Sequence, residues 1–116
     1  PKPDILKRAG MKAYIAEYVK RYGVKPNYHA GQSYASFQVL GAAIAAAGSI
    51  DRAKVWKTMR SFSTNTVIGP WKVDGNNLNS HEGLTFQILK GQRKIVWPAK
   101  LAEAKYTLPM PNWKSR

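Results

Sequence analysis

The pattern of apolar and polar residues predicts helices in the first part of the chain and short strands in the second. Residues 28–48 form the longest apolar run and contain no Asp, Glu, Lys or Arg. Within this run, spacings of three and four, the period of an α-helix, link Tyr34, Phe37, Gly41 and Ile44. The other faces carry mostly alanine and glycine, which predicts a helix buried on most sides with the rest of the chain packed around it. Its length and its polar interruptions disfavour a membrane span.

A shorter amphipathic helix is predicted before this run. Its pattern extends over residues 5–22, with Asp4 as a candidate N-cap. Gly10 weakens the first part, so the helix is most strongly indicated over residues 11–22. Gly23 then stands where helices commonly end in left-handed backbone. Mostly outside the apolar face we expect the basic side chains Lys7, Arg8, Lys12, Lys20 and Arg21.

A third helix is predicted over residues 52–62, with Asp51 as its N-cap. Its apolar stripe consists of Val55, Met59 and Phe62, with Trp56 beside it. The outward-facing positions are expected to be Lys54, Lys57 and Arg60.

The second part of the chain favours strands because its apolar runs are short, β-branched or aromatic, and bounded by glycine and proline. The predicted strands cover residues 64–68, 70–73, 84–89 and 93–97. Residues 74–77, which read DGNN, predict a turn. Gly91-Gln92 suits a two-residue hairpin turn, and Pro98 is expected to end the last strand. The tail from Ala99 to Arg116 is predicted to be extended.

The chain has 116 residues, which corresponds to one domain or to a piece of one. It has 19 Lys and Arg against 6 Asp and Glu, a formal net charge of +13, which favours anionic partners. It has no cysteine, so disulfides and thiolate metal sites are excluded. No DNA- or RNA-binding motif is present, and specific recognition of nucleic acid is not expected.

Candidate catalytic chemistry is sparse. The carboxylates are scattered without forming an acid and base pair, and the two histidines, His29 and His81, lack the spacing of metal ligands. No phosphate-binding loop and no nucleophile motif occurs. We therefore expect a protein that is not an enzyme and that has no cofactor and no metal site.

The start of the central helix is the candidate ligand-binding region. The first amides of a helix are unpaired and carry partial positive charge, and Tyr28, His29 and Gln32 place an aromatic ring, an imidazole and an amide there. In the alternative interpretation Tyr28 packs, His29 is exposed, and Gln32 and Ser33 cap backbone groups. Both interpretations stay open on the residues alone.

The order of motifs resembles the C-terminal part of the substrate-binding proteins of ABC transporters. The pieces that carry the resemblance are YG-x-x-P-x-Y before an alanine-rich helix, AAGSIDRAKV, TVIGPWKVDGNN and PMPNWKSR. The chain is similar to type I periplasmic binding proteins, in the branch that binds branched-chain amino acids and related amides or aromatic compounds. The resemblance covers residues from about 12 to 116.

The resemblance implies an α/β fold, the C-terminal portion of a two-lobe protein that holds solute in a cleft between its lobes. It assigns residues 1–83 to the first lobe and residues 84–116 to a crossover hairpin and tail associated with the second lobe. It implies ligand contacts at Tyr28, His29 and Gln32, because the family binds ligand from the segment before this helix.

The implied partners are a small solute, such as an amino acid or related compound, a membrane permease, and the remainder of its own polypeptide. The implied location is periplasmic or extracellular, with the full-length protein associated with lipid or the cell envelope. The alternative from charge is a free-standing basic module that binds nucleic acid or an acidic partner.

Overall fold

Three helices are followed by two antiparallel hairpins in the computed structural model, which describes residues 8, 10–79, 83–110 and 112–115. The helices are α1 (Met11–Tyr22), α2 (Tyr28–Ala47) and α3 (Arg52–Met59). The strands are β1 (Thr64–Thr66), β2 (Gly69–Trp71), β3 (Thr85–Leu89) and β4 (Gln92–Trp97), and short 3-10 turns cover Ala99–Leu101 and Trp113–Ser115. The order confirms the predicted mixed α/β class. The chain divides into two compact units, one within residues 5–81 and one within residues 82–116.

Helix α1 is bounded by glycines in left-handed backbone, and it confirms the part that the sequence indicated most strongly. Gly10 precedes it with φ 78°, and Gly23 ends it with φ 70° and donates its N–H to the Val19 carbonyl at 2.8 Å. Asp4, Lys7 and the rest of the first predicted turns lie outside the described residues. Arg8 was expected outside the apolar face, but its guanidinium donates to the carbonyl of Ile68.

A row of tyrosines follows one side of α1. The ring centroids of Tyr14 and Tyr18 are 5.9 Å apart, and those of Tyr18 and Tyr22 are 4.5 Å apart. Tyr34 of α2 lies 4.7 Å from Tyr14 between ring centroids, so the row joins the two helices. The Tyr14 hydroxyl is buried and has no hydrogen-bond partner among the described residues. Partial burial, with smaller contributions from the neighbouring tyrosines, raises the pKa of Tyr14.

Helix α2 has the predicted bounds, but only one narrow stripe of it is buried. The Asn27 side chain accepts from the Ala30 N–H at 2.9 Å, and Gly48 ends the helix with φ 59°. The buried stripe consists of Gly31, Ala35, Val39 and Ala43. Tyr34 and Phe37, two of the large residues that suggested burial, are exposed, at 47% and 74%. The expectation of a helix buried on most sides is therefore wrong, because only a stripe of smaller residues packs against the rest of the unit.

The first hairpin packs against α2. Thr66 pairs with Gly69, so the turn consists of Val67 and Ile68, not of the predicted break at Gly69 and Pro70. Val67 is 1% exposed, and its N–H donates to the Gln38 side-chain oxygen at 2.9 Å. Because a buried turn needs partners for its backbone groups, this bond to α2 decides where the chain reverses.

Helix α3 begins as predicted and ends earlier. The Asp51 carboxylate accepts from the Lys54 N–H at 3.0 Å, which confirms the N-cap. The helix ends at Met59, three residues before the predicted end. Val55 is buried, and the basic residues of α3 are exposed as expected. The Arg60 guanidinium lies 4.9 Å from the centroid of the exposed Trp56 ring.

The second hairpin turns one residue before the predicted position. Leu89 pairs with Gln92, so the turn residues are Lys90 and Gly91, with φ 51° and 72°. Positive φ at both central residues is the backbone that a two-residue hairpin requires, with glycine here in the second place. The tail is not extended throughout, because it contains the 3-10 turns at Ala99–Leu101 and Trp113–Ser115. Between them, the Thr107 N–H and carbonyl both bond the Gln87 side chain at 2.9 Å.

No single helix in the described ranges is both long and apolar enough to cross a membrane. Only together do helices α2 and α3 reach the length and apolar composition of a membrane span, and the chain bends by 107° between them.

Candidate functional site

The first turn of α2 presents two stacked rings to solvent. The ring centroids of Tyr28 and His29 are 3.8 Å apart, and the ring planes are inclined by 33°. Both residues are exposed, and Tyr28 retains 68% of its accessible surface. Asn27, not Gln32 or Ser33, caps the helix. The rings of Tyr28 and His29 are thus available for contact with a molecule outside this unit.

Gln32 leads from this ring pair to a hollow in the same unit. Tyr28, Gln32 and Ser36 follow one another at intervals of four, so they share one face of α2. Gln32 and Ser36 line a half-open hollow of about 440 Å³, called here the larger hollow. The other lining residues are Ala35, Val39, Met59, Thr66, Ile68, Pro70, Trp71 and Asn79. Of the three predicted site residues, the structure therefore brings Gln32 to the hollow, whereas Tyr28 and His29 do not line it.

The wall of the larger hollow is apolar and its most prominent ring is held in place. Trp71 belongs to β2, and its ring centroid lies 5.5 Å from that of Phe62 at an interplanar angle of 50°. Such a tilted contact between aromatic rings is favourable and limits rotation of the indole. Val39, Met59 and Ile68 complete the apolar wall. A flat apolar group can therefore contact a pre-positioned aromatic face.

Polar groups of the larger hollow differ in whether they are already bonded. The Thr66 hydroxyl donates to the Gly69 carbonyl at 2.8 Å and accepts from the Ile68 N–H at 3.3 Å. The Ser36 hydroxyl donates to the Gln32 carbonyl at 3.0 Å. The side-chain amides of Gln32 and Asn79 make no hydrogen bond within the described part of the chain. These two amides can each offer a donor and an acceptor to a ligand.

A second hollow adjoins the first. This smaller hollow has a volume of about 320 Å³ and shares Pro70, Trp71 and Asn79 with the larger one. It is otherwise lined by Ser63, Thr64, Asn65 and Lys72. Lys72 is the one charged residue among the described residues that line either hollow. The two hollows therefore differ in electrostatic character across the shared Trp71.

The sequence patterns did not point to most of these residues. Trp71, Lys72 and Asn79 lie more than forty residues after the start of α2, and each looks like an ordinary strand or loop residue. Only the return of the β1–β2 hairpin onto α2 brings them beside Gln32. The pattern IGPW, in which an aromatic residue directly follows a glycine and proline turn signal, was the nearest available indication.

The described residues contain no group of three His, Asp or Glu side chains that could hold a metal ion. His81 and Glu82, the other histidine region considered from the sequence, lie outside the described residues.

Comparison with known families decides the class of the protein. The family model described as a periplasmic binding protein matches residues 2–92, which is more than half of the chain. The chain belongs to this family. It is a member of the type I periplasmic binding proteins, as its motifs suggested, and its general role is the binding of solute in the periplasm or outside the cell. Proteins of this family are generally not enzymes.

The match differs from the sequence comparison at both ends. It begins at residue 2 and so includes residues 2–11, which the motif comparison left aside. It ends at the first residue of β4, so the tail motif PMPNWKSR lies beyond it.

Proposed function

We propose that this chain belongs to the solute-binding receptor of an ABC importer. The receptor binds a small amino acid or a related carboxylate, amide or aromatic compound and delivers it to a membrane permease. Tyr28, His29 and Gln32 contact the solute. The observation that carries this proposal is the row along α2, in which the exposed Tyr28 ring leads by one turn to Gln32 at the larger hollow.

Two lobes and a closing cleft provide the mechanism in this proposal. Residues 1–83 belong to the first lobe, and residues 84–116 supply the crossover hairpin and the tail associated with the second lobe. Solute that touches both lobes shifts the population from an open to a closed state, which the permease recognises. In the full-length receptor, a lipid or envelope anchor keeps the protein near that permease.

Titration of the chain with leucine, phenylalanine and benzamide, followed by calorimetry and NMR chemical shifts up to millimolar concentrations, tests the proposal. Gln32→Ala removes one neutral hydrogen-bonding group and is expected to weaken binding about three- to tenfold. Gln92→Ala is the matched control, because Gln92 is exposed on the second hairpin. Equal losses in both variants would argue against a site at Gln32.

The ring pair has its own control. Tyr28→Ala is expected to weaken binding, whereas Tyr106→Ala, which changes a tyrosine of similar exposure (65%) in the other unit, leaves it unchanged. Absence of binding by any of these solutes to a polypeptide that carries both lobes would contradict the receptor function. Equal affinity of this chain and of a polypeptide that carries both lobes would contradict the two-lobe mechanism.

A second candidate function, binding of an anionic macromolecule, is supported by the outer side of α3. Arg52, Trp56 and Arg60 follow one another at intervals of four, and Arg60 stacks over the exposed Trp56. Lys54 and Lys57 are also exposed on this helix. Together with the net charge of +13, this face suits phosphate groups or an acidic protein surface.

Fluorescence anisotropy with a nonspecific DNA duplex at increasing salt concentration tests this second function. Affinity for the duplex is expected to fall steeply as the salt concentration rises, because cationic side chains release counter-ions from the phosphates. Lys57→Ala is expected to reduce the slope of log binding constant against log salt concentration by about one phosphate contact. Lys105→Ala, in the other unit, serves as the control. No binding at low salt would exclude the second function.

A further inference from the structure

The two adjoining hollows carry information about the charge of the solute. They meet at Trp71 and Asn79, so one ligand can extend from the larger hollow into the smaller one. Among the described residues, the lining of the larger hollow consists of an apolar wall and neutral polar groups. The smaller hollow adds the ammonium of Lys72, which is exposed and forms no ion pair among the described residues.

The carboxylates of the described residues are all engaged elsewhere. Glu17 pairs with Arg21 at 2.7 Å on α1, and Asp51 caps α3. Asp74 accepts from the N–H groups of Asn76 and Leu78 at 2.8 and 3.0 Å, which holds it in its own turn. Glu103 accepts from the Ile95 N–H at 3.1 Å in the other unit. None of these four groups lines either hollow, so the described residues offer no counter-ion to a bound ammonium group in either hollow.

This charge distribution separates the classes of solute that the proposed function leaves open. The ammonium group of an amino acid would give up water without gaining an anionic partner among the described residues, and it would lie near the positive charge of Lys72. A carboxylate without an ammonium group would gain the attraction of Lys72 and of the indole and amide donors around it. A flat or apolar body would contact the Trp71 ring that Phe62 holds in place.

We propose that the paired hollows bind a carboxylic acid with an aromatic or apolar body and no ammonium group. The body occupies the larger hollow against Trp71, and the carboxylate reaches Lys72 in the smaller one. This inference rests on the proposed solute-binding function and narrows its substrate class away from amino acids.

Three probes of nearly equal shape test the inference: 3-phenylpropionate, 3-phenylpropanamide and phenylalanine. The acid is expected to bind about two- to fivefold more tightly than the amide, which is the range of an exposed pair of opposite charges. Phenylalanine is expected to bind more weakly than both. Affinities are measured by NMR titration of the whole chain, followed through the indole N–H signal of Trp71. That signal is assigned as the one that is missing from the spectrum of Trp71→Phe.

Lys72→Gln is expected to remove the difference between acid and amide without affecting the fold, because Lys72 is exposed. Lys105→Gln is the matched control and should preserve that difference. Trp71→Ala is expected to weaken all three probes, and Phe62→Leu should weaken them less, because it loosens the indole without removing it.

The outcomes separate this inference from the proposed function. If phenylalanine binds as tightly as 3-phenylpropionate, or if Lys72→Gln leaves the acid preference unchanged, the charge inference is overturned while solute binding stands. If none of the three probes binds but leucine or benzamide does, the charge inference is overturned and the solute-binding function again stands. If no solute binds, even to a polypeptide that carries both lobes, both fail.

Discussion

The two sides of α2 differ in burial, and the difference is the opposite of what the hydrophobicity of their side chains would predict. On one side lies a buried stripe of smaller residues: Gly31, Ala35, Val39 and Ala43. On the other side Tyr34, Phe37 and Leu40 retain 47%, 74% and 42% of their accessible surface. These three larger apolar residues are thus more exposed than the smaller residues of the buried stripe.

Close approach explains the difference. A methyl group added to Gly31 would lie 3.8 Å from the Cγ2 atom of Ile68, so the β1–β2 hairpin rests almost on the helix backbone. α2 also contacts α3 and β1. Small residues let neighbouring elements come near, whereas aromatic side chains hold them away. A helix can therefore be apolar all round and still present only one stripe to its own unit.

The sharpest way to break this comparison is to enlarge the buried stripe. Ala43 is fully buried, and Ala43→Leu is expected to lower the free energy of unfolding by about 1–3 kcal/mol because the added carbons have no room. Ala46→Leu, at an exposed position of the same helix, is the control and should change it by less than about 0.5 kcal/mol. Urea unfolding measures both, and equal effects would mean that the two sides do not differ in packing.

One residue on the exposed side of α2, Tyr34, contacts the Tyr14 ring of α1, and this contact is tested by changing Tyr14. Tyr14→Phe removes a buried hydroxyl that has no partner and is expected to raise the free energy of unfolding by about 1 kcal/mol. Tyr18→Phe, one turn away in the same row, serves as the control and should give a smaller change. A loss of stability in Tyr14→Phe would show that the hydroxyl is bonded in solution.

The same residue predicts a dependence on pH. Burial raises the pKa of Tyr14 above its ordinary value near 10, so the folded chain favours the neutral phenol. The corresponding stability is present below pH 10 and is lost as the pH rises through the higher folded pKa. Thermal unfolding between pH 8 and about pH 11.5 should therefore show a steeper loss in the native chain than in Tyr14→Phe. Parallel curves would contradict this assignment.

The glycines of α2 allow a test of how closely other elements approach the helix on each side. Gly41 is exposed and would place a Cβ atom in open space, so Gly41→Ala is expected to stabilise the helix by about 0.5–1 kcal/mol. Gly31→Ala adds an ordinary contact with Ile68 and is expected to stabilise by a similar amount. If Gly31→Ala destabilises while Gly41→Ala stabilises, the hairpin lies closer to α2 than the structure shows.

The smallest effect on stability is expected on the exposed side itself. Phe37→Gln should change the free energy of unfolding by less than about 0.5 kcal/mol, because the ring makes little contact within its unit. The same change should reduce self-association at high concentration, since it removes part of an exposed apolar face. Sedimentation velocity measures the association. A large loss of stability in Phe37→Gln would show that this side is packed after all.

Local features of the fold were well predicted from the sequence. The Asp51 cap, the left-handed end at Gly23 and the turn at residues 74–77 all appear where the pattern placed them. Each depends on groups within about four positions along the chain, which the order of residues specifies directly. The candidate site was predicted only where it coincides with such a feature, at the beginning of α2.

Tertiary contacts decided the rest. The buried side of α2 depends on which neighbours approach it, and the turn of the first hairpin depends on the bond from Val67 to Gln38, residues 29 positions apart. The second hairpin differed by one residue because glycine suits either central position of a two-residue turn, and strand pairing selects between them.

By itself, then, the sequence determined the family, the charge, the order of elements and the helix caps at Gly23 and Asp51, because these follow from composition and short-range bonding. Only the tertiary structure decided which face of α2 is buried and that Gln32, Trp71 and Lys72 border adjoining hollows. The physical reason is that packing depends on the shapes of surfaces that meet across long stretches of chain, and these shapes exist only after the chain has folded.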